Sequence, residues 1–181
     1  MKFTLLTHPG VWILALGAML ETQALTIQDL RNEQNLAPQN FARHFAHFKF
    51  VFAAQVQKPE DFLAREAGDC DDYSTLAAEE LAARGYRTRL VSVRMKHAVH
   101  VICYVEEAGG YLDYNRRARG NGLVSCGSDL AEIGDSVAKS FKSTWTSVSE
   151  FTYNAGVKRL VSTSLAKTRT RNIASANLAG R

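Results

Sequence analysis

Two hydrophobic periods divide the chain. Up to residue 85 apolar side chains recur every three or four positions, and from residue 87 they tend to alternate. In the first part Pro38 stands where a first-turn proline belongs, and Phe41, Phe45, Phe48 and Phe52 follow on one helical face. Lys58-Pro59-Glu60-Asp61 starts a short second helix whose apolar contacts are Phe62 and Leu63. Tyr73, Leu76, Ala77 and Leu81 define a third, with Gly68 and Asp69 as turn and N-cap and Gly85 as a left-handed C-terminal cap. Residues 25–35 are polar and read as a lead-in.

In the second part the alternation predicts strands over residues 87–93 and 100–105, a turn within 106–110 and a returning strand over 111–114. Residues 116–121 make a basic, glycine-containing loop, and a helix covers 129–141. Residues 145–153 and 157–165 form a hairpin around Asn154-Ala155-Gly156. No internal repeat or linker interrupts this order. Helices first and an antiparallel sheet after give one α+β domain over residues 25–165.

Composition adds an address. Ahead of the domain, Lys2 is the only early charge, Val11 to Leu20 are an apolar core, and Thr22-Gln23-Ala24 offers a small-residue cleavage site. Residues 1–24 therefore read as a secretory signal peptide, which predicts a secreted or periplasmic protein. The apolar run is short for a membrane span, so a membrane enters only if this segment stays uncleaved. The formal charge is +4, and Lys167, Arg169, Arg171 and Arg181 account for all of it. They lie in an acid-free stretch, residues 166–181, that reads as a disordered basic tail. The neutral body lacks the basic face of a nucleic-acid binder. Three cysteines in an exported chain leave one unpaired; the expected bridge joins Cys103 to Cys126 and leaves Cys70 free.

Cys70 lies in the first turn of its helix, where unpaired N–H groups and the positive end of the dipole favour a thiolate. A nucleophilic thiol needs a base, and the base needs a group to orient it. Two histidines compete. A turn centred near residues 106–108 sets Asp113 opposite something between residues 100 and 103. His100 is there or within about 10 Å along the strand. His97 lies three residues further back, an odd separation that tends to send it to the other sheet face. His100 is the expected base, Asp113 its orienting carboxylate, and His97 an edge histidine. Each residue has a plainer use: cysteine as a small buried hydrophobe, Asp113 as a turn starter. Asp69, Asp71 and Asp72 also admit a calcium site, though the run lacks the alternating carboxylates, midpoint Gly and closing Glu of an EF-hand loop. His44 and His47 sit three apart with no suitably placed cysteine or acid to complete a metal site, and read as surface residues.

Gly68-Asp69-Cys70-Asp71-Asp72-Tyr73-Ser74 at a helix start, then His100-Val101-Ile102-Cys103-Tyr104-Val105, then Tyr111-Leu112-Asp113-Tyr114-Asn115 together resemble the transglutaminase-like superfamily. The resemblance spans roughly residues 40–115. It implies a papain-like fold with the nucleophile at a helix start packed on an antiparallel sheet, as in bacterial transglutaminase-like cysteine peptidases. It makes Cys70 the nucleophile, His100 the base and Asp113 its partner, with no cofactor. His97-Ala98-Val99 mimics the His-Ala-Val start of the family strand, which keeps His97 as the alternative base; the stretch from His100 to Asp113 is short for the family. The implied chemistry is acyl transfer from a peptide or glutamine amide to water (protease or deamidase) or to an amine (transglutaminase). Its oxyanion hole would use the Cys70 N–H, with Gln55 or Gln57 as a second donor. The partner is then a peptide or protein substrate. Two readings of other classes stand beside it: a catalytically inactive module that binds a peptide or cell-envelope partner, and a calcium-stabilised structural domain.

Overall fold

A computed structural model describes residues 24–166, apart from 120, 121 and 155. Of the expected signal peptide (1–24) and basic tail (166–181), residues 1–23 and 167–181 lie outside the described residues. Thr26 and Asp29 cap one another reciprocally and start a helix, α1 (Ile27–Asn32), inside the stretch expected to be a lead-in. Its one buried residue, Leu30, joins the main core. The phenylalanine helix, α2 (Pro38–His44), is shorter than its period predicts. Phe41, Phe45 and Phe48 are buried as expected, but Phe52 is 78% exposed. After His44 the backbone turns to pair with another segment, and β1 (Lys49–Phe50) runs parallel to β2 (Ala67–Gly68). Between them lies α3 (Pro59–Arg65), which buries Phe62 and Leu63.

Helix α4 (Cys70–Ala82) follows directly on β2. Gly85 takes the left-handed conformation that ends it, at φ +87°, and the Tyr86 N–H closes back on the Leu81 carbonyl. The strands are β3 (Thr88–Met95), β4 (Val99–Val105), β5 (Gly110–Leu112), β6 (Leu123–Ser125), β7 (Trp145–Asn154) and β8 (Val157–Leu165). They form one six-stranded antiparallel sheet in the order β6-β5-β4-β3-β7-β8. Helix α5 (Leu130–Ser140), capped by Asp129, precedes the last hairpin. The chain is an α+β fold.

The sheet carries a core on each face. On one side Phe41, Phe45, Phe48, Phe62, Tyr73 and Leu76 of the helical layer pack against Cys103, Val105 and Leu112. On the other, α5 lays Ile133 and Val137 on Val91, Val93, Ile102 and Tyr104. Alternation along β3 and β4 feeds both layers, and β4, buried from His100 to Val105, reads as a nearly continuous apolar run. Helix α4 comes close to the sheet because the side chains between them are small. Ser74 Oγ donates to the Val101 carbonyl (3.1 Å), and Thr88 Oγ donates to the carbonyl of Ala78 (3.2 Å).

The expected Cys103–Cys126 bridge is not formed; all three cysteines are free. Cys103 is sealed in the helical-side core, whereas Cys126 packs on the α5-side core, so the sheet stands between them. Burial pushes both thiols up, that of Cys126 to about 11, which leaves neither a ready nucleophile.

Helix α1 is pinned to α4 by a charged clamp. Glu80, only 3% exposed at its side chain, accepts from Arg31 Nη2 at 3.0 Å and lies 3.7 Å from Arg84 Nη1. Arg84 also donates to the carbonyls of Glu80 and Leu30. Glu80→Ala orphans the half-buried Arg84 and should lower the unfolding free energy by about 2–3 kcal/mol. The loss falls short of a fully buried pair because Arg31 is mostly in water. Urea denaturation at neutral pH measures it.

Candidate active site

The turn after β2 is built to present Cys70. Asp69 is the N-cap of α4: its Oδ1 accepts from the Asp71 N–H (2.9 Å) and the Asp72 N–H (3.4 Å). Its Oδ2 accepts from the Ala53 N–H (3.0 Å). Asp72 answers from the third helical position, taking the Asp69 N–H on Oδ2 (3.0 Å). The same carboxylate takes the Gln57 backbone N–H on Oδ1 (2.7 Å) and the Gln57 side-chain amide on Oδ2 (2.7 Å). The Tyr73 N–H goes to the Asp69 carbonyl. Among the described residues, the Cys70 N–H is the one first-turn amide of α4 without a hydrogen-bond partner.

Cys70 itself is half-buried, packed between the helical core and a small cluster of Leu90, Val101 and Phe151. Its thiol lies 3.7 Å from Asp71 Oδ1. Asp71 receives no N–H donor among the described residues, and burial followed by the nearby charge of Asp69 raises its pKa. Asp69, Cys70 and Asp71 bring one donor atom each within 4.8 Å of one another. Asp69 and Asp72, unlike Asp71, already take three N–H donors each, so most of their acceptor capacity is spent on the cap.

His100 is where the hairpin argument puts it. Cys103 pairs with Leu112 and Tyr104 with Tyr111, so the turn centres between residues 107 and 108, and the register continued by one residue sets Asp113 opposite Ile102, two residues from His100. His100 Nε2 lies 2.9 Å from Asp113 Oδ1, and both side chains are almost fully buried. Asp113 Oδ1 also accepts the Asn115 N–H at 2.9 Å. With Nε2 donating to a carboxylate, the neutral ring carries its free lone pair on Nδ1, which is left for the thiol. Burial by itself would lower the imidazole pKa. The hydrogen bond to Asp113, the nearby thiol of Cys70 and the charges of both outweigh it and hold the pKa up at about 9. A thiol beside a ring that keeps its proton through neutral pH can exist as a thiolate–imidazolium pair.

His97 is exposed in the turn between β3 and β4. His44 and His47 do find acids, from segments remote in sequence: Glu33 at 2.6 Å and Glu66 at 3.3 Å. These are two separate surface pairs.

Three further residues at the site carried no sequence signal. Phe141, just after α5, lies against the His100 ring with centroids 4.9 Å apart. Lys158 of β8 sits over the Phe151 ring at 3.7 Å, and its ammonium acts on both Asp71 and Cys70. Arg117 donates to the Phe48 and Tyr114 carbonyls and lies over the Tyr114 ring at 3.8 Å, which fixes the 3-10 helix Tyr114–Arg119 behind Asp113. One residue beyond Cys70 opens a cleft of about 720 Å³, walled by Gln55 and Val56, by Asp71 and Thr75 of α4, and by Tyr153 and Lys158 of the last hairpin; Cys70 and His100 themselves are not in its lining. Gln55 is exposed there, whereas the Gln57 amide is committed to Asp72 and to the Ala67 carbonyl (3.2 Å). Of the two glutamines, only Gln55 has an amide free for a ligand.

Comparison of the chain with protein-family models finds no match, and comparison with curated proteins finds none either.

Proposed function

We propose that this chain is a thiol acyl-transferase of the papain and transglutaminase type, acting on peptide or glutamine amides through Cys70, His100 and Asp113. The observation that carries the reading is the buried 2.9 Å His100–Asp113 pair beside a half-buried cysteine at a helix start. A merely structural cysteine needs no such neighbour. In this reading His100 Nδ1 takes the thiol proton and the sulfur adds to the amide carbonyl carbon. The resulting oxyanion faces the unpartnered Cys70 N–H, with Gln55 as the second donor. As the C–N bond breaks, Nδ1 returns the proton to the departing amine. Water or a second amine then attacks the thioester, giving its proton to Nδ1, and the sulfur leaves as thiolate. The cleft beside Cys70 holds the substrate segment, and the signal segment read from the sequence directs the protein to the periplasm or outside the cell.

Iodoacetamide tests the activated pair. Wild-type Cys70 should be alkylated near neutral pH at least about tenfold faster than a model thiol, and His100→Ala should remove that advantage. Equal rates in the two proteins, read by peptide mass spectrometry, would remove the enzyme reading and favour a peptide-binding module. Intact mass with a dansyl-glutamine peptide, with and without a primary amine, names the acceptor: loss of ammonia alone, incorporation of the amine, or cleavage of the backbone.

A further inference from the structure

The buried carboxylate of Asp113 is used on one oxygen only. Oδ1 serves His100 and Asn115, while Oδ2 is buried with no hydrogen-bond partner. An acceptor in that condition costs about 1–3 kcal/mol, more when it is charged. Asp113 borders a recess of about 210 Å³, which it shares with Asn115, Arg116, Ser140 and Phe141. Ser140 Oγ already donates to the Val137 carbonyl at 2.7 Å. Phe141 is the aromatic ring that leans on His100. Arg116 is the one cation in the lining, and among the described residues its guanidinium makes no ion pair or hydrogen bond. The neighbouring cation, Arg117, is fully committed to carbonyls and to the Tyr114 ring.

Local geometry favours a meeting. The Arg116 N–H donates to the Asp113 carbonyl at 3.0 Å, so the two residues are three apart in a 3-10 turn. Side chains at that spacing eclipse one another along the turn. We infer that Arg116 is a positioning residue for the site: a side-chain rotation within the recess brings its guanidinium onto Asp113 Oδ2, where it caps that oxygen and fixes the carboxylate plane against His100 Nε2. It touches neither substrate nor sulfur and acts only through Asp113. The inference deepens the acyl-transfer reading and rests on it for its consequence, although the contact itself does not depend on that chemistry.

The groups facing the His100 ring are Asp113, Cys70 and the uncharged Phe141. Near Asp113, besides the histidine, are the phenols of Tyr73 and Tyr111, and Arg116 shares its recess. A cation on the far oxygen drains charge from the oxygen that holds the ring. Its removal therefore raises the imidazolium pKa.

The test is the NMR titration of the His100 ring in the full chain, as wild type, Arg116→Gln, Arg116→Ala, Arg116→Lys and Cys70→Ala. Arg116→Gln and Arg116→Ala should each raise the His100 pKa by about half a unit or more, while Arg116→Lys should stay near wild type. The alkaline limb of Cys70 alkylation should move with it. A His100 titration unchanged in both neutral variants, or moved as far by lysine, would overturn the inference. Cys70→Ala reports separately on the acyl-transfer reading, since losing the sulfur should lower the His100 pKa. No change there would sink the thiol–imidazole pair and leave the Arg116 result standing.

Discussion

Asp113→Ala should cut the proposed acyl transfer by about 10²–10⁴-fold while leaving the sulfur and the ring on their own elements. The reason is orientation as much as charge. Asp113 Oδ1 holds the Nε2 proton of His100 and so determines that Nδ1 is the nitrogen offered to Cys70. Without it the ring can take the other tautomer and rotate. The imidazole pKa should fall from about 9, because burial lowers it and only the thiol would be left to oppose that. Stability should change its pH dependence too. In the wild type, the His100 contribution is fully present below about pH 6.5 and is lost as pH rises through about 9. In Asp113→Ala this contribution should shrink, and its loss should move to lower pH. Urea denaturation at pH 5.5, 7.5 and 9.5 separates the two, and Asp113→Asn serves as the control that keeps the volume. A wild-type stability flat across pH 6.5–9 would mean that the pair does not hold its proton.

Gly68→Ala is the second large effect. A methyl group at residue 68 would fall 2.5 Å from Asp72 Oδ2, 2.6 Å from Phe62 Cδ2 and 2.8 Å from Gln57 Nε2. All three are packed or hydrogen-bonded and cannot withdraw cheaply. The expected cost is about 2–4 kcal/mol in unfolding free energy. Alkylation of Cys70 should slow even where the variant is folded, because the atoms displaced are those that brace Asp69 and the first turn of α4. Gly85→Ala is the useful contrast: its φ is +87° but nothing lies within 4 Å, so only backbone strain, about 1 kcal/mol, is expected. A Gly68→Ala protein as stable and as reactive as wild type would show that the brace is not what presents the thiol.

What could be read in the chain was whatever has a period or a local cap. Helix α4 with its Asp69 cap, the four longest strands and the hairpin register that joins His100 to Asp113 all follow from spacing. The two-residue strands β1 and β2 and the short β6 leave no period, because their pairing is decided by residues remote in sequence. Helix α1 did leave a signal, the Thr26–Asp29 capping pair, in a stretch too polar to suggest burial. Phe52 shows the opposite failure: it keeps the helical spacing of Phe41, Phe45 and Phe48 beyond the point where the backbone leaves the helix to pair with β2. The cysteine arithmetic failed because pairing depends on the face of the sheet each residue occupies, and Cys103 and Cys126 occupy different faces. Phe141, Lys158 and Arg117 reach the site from elements whose own patterns are set by other packing.

The small residues along the inner side of α4 work as a spacer gauge. Sulfur and imidazole belong to different layers, and among the described residues no covalent bridge joins those layers. The separation of the two reacting atoms is therefore inherited from how thin Ser74, Ala77 and Ala78 keep the seam between helix and sheet. One methylene added at any of them would be felt as a gap between Cys70 and His100, with both side chains and Asp113 still in the chain.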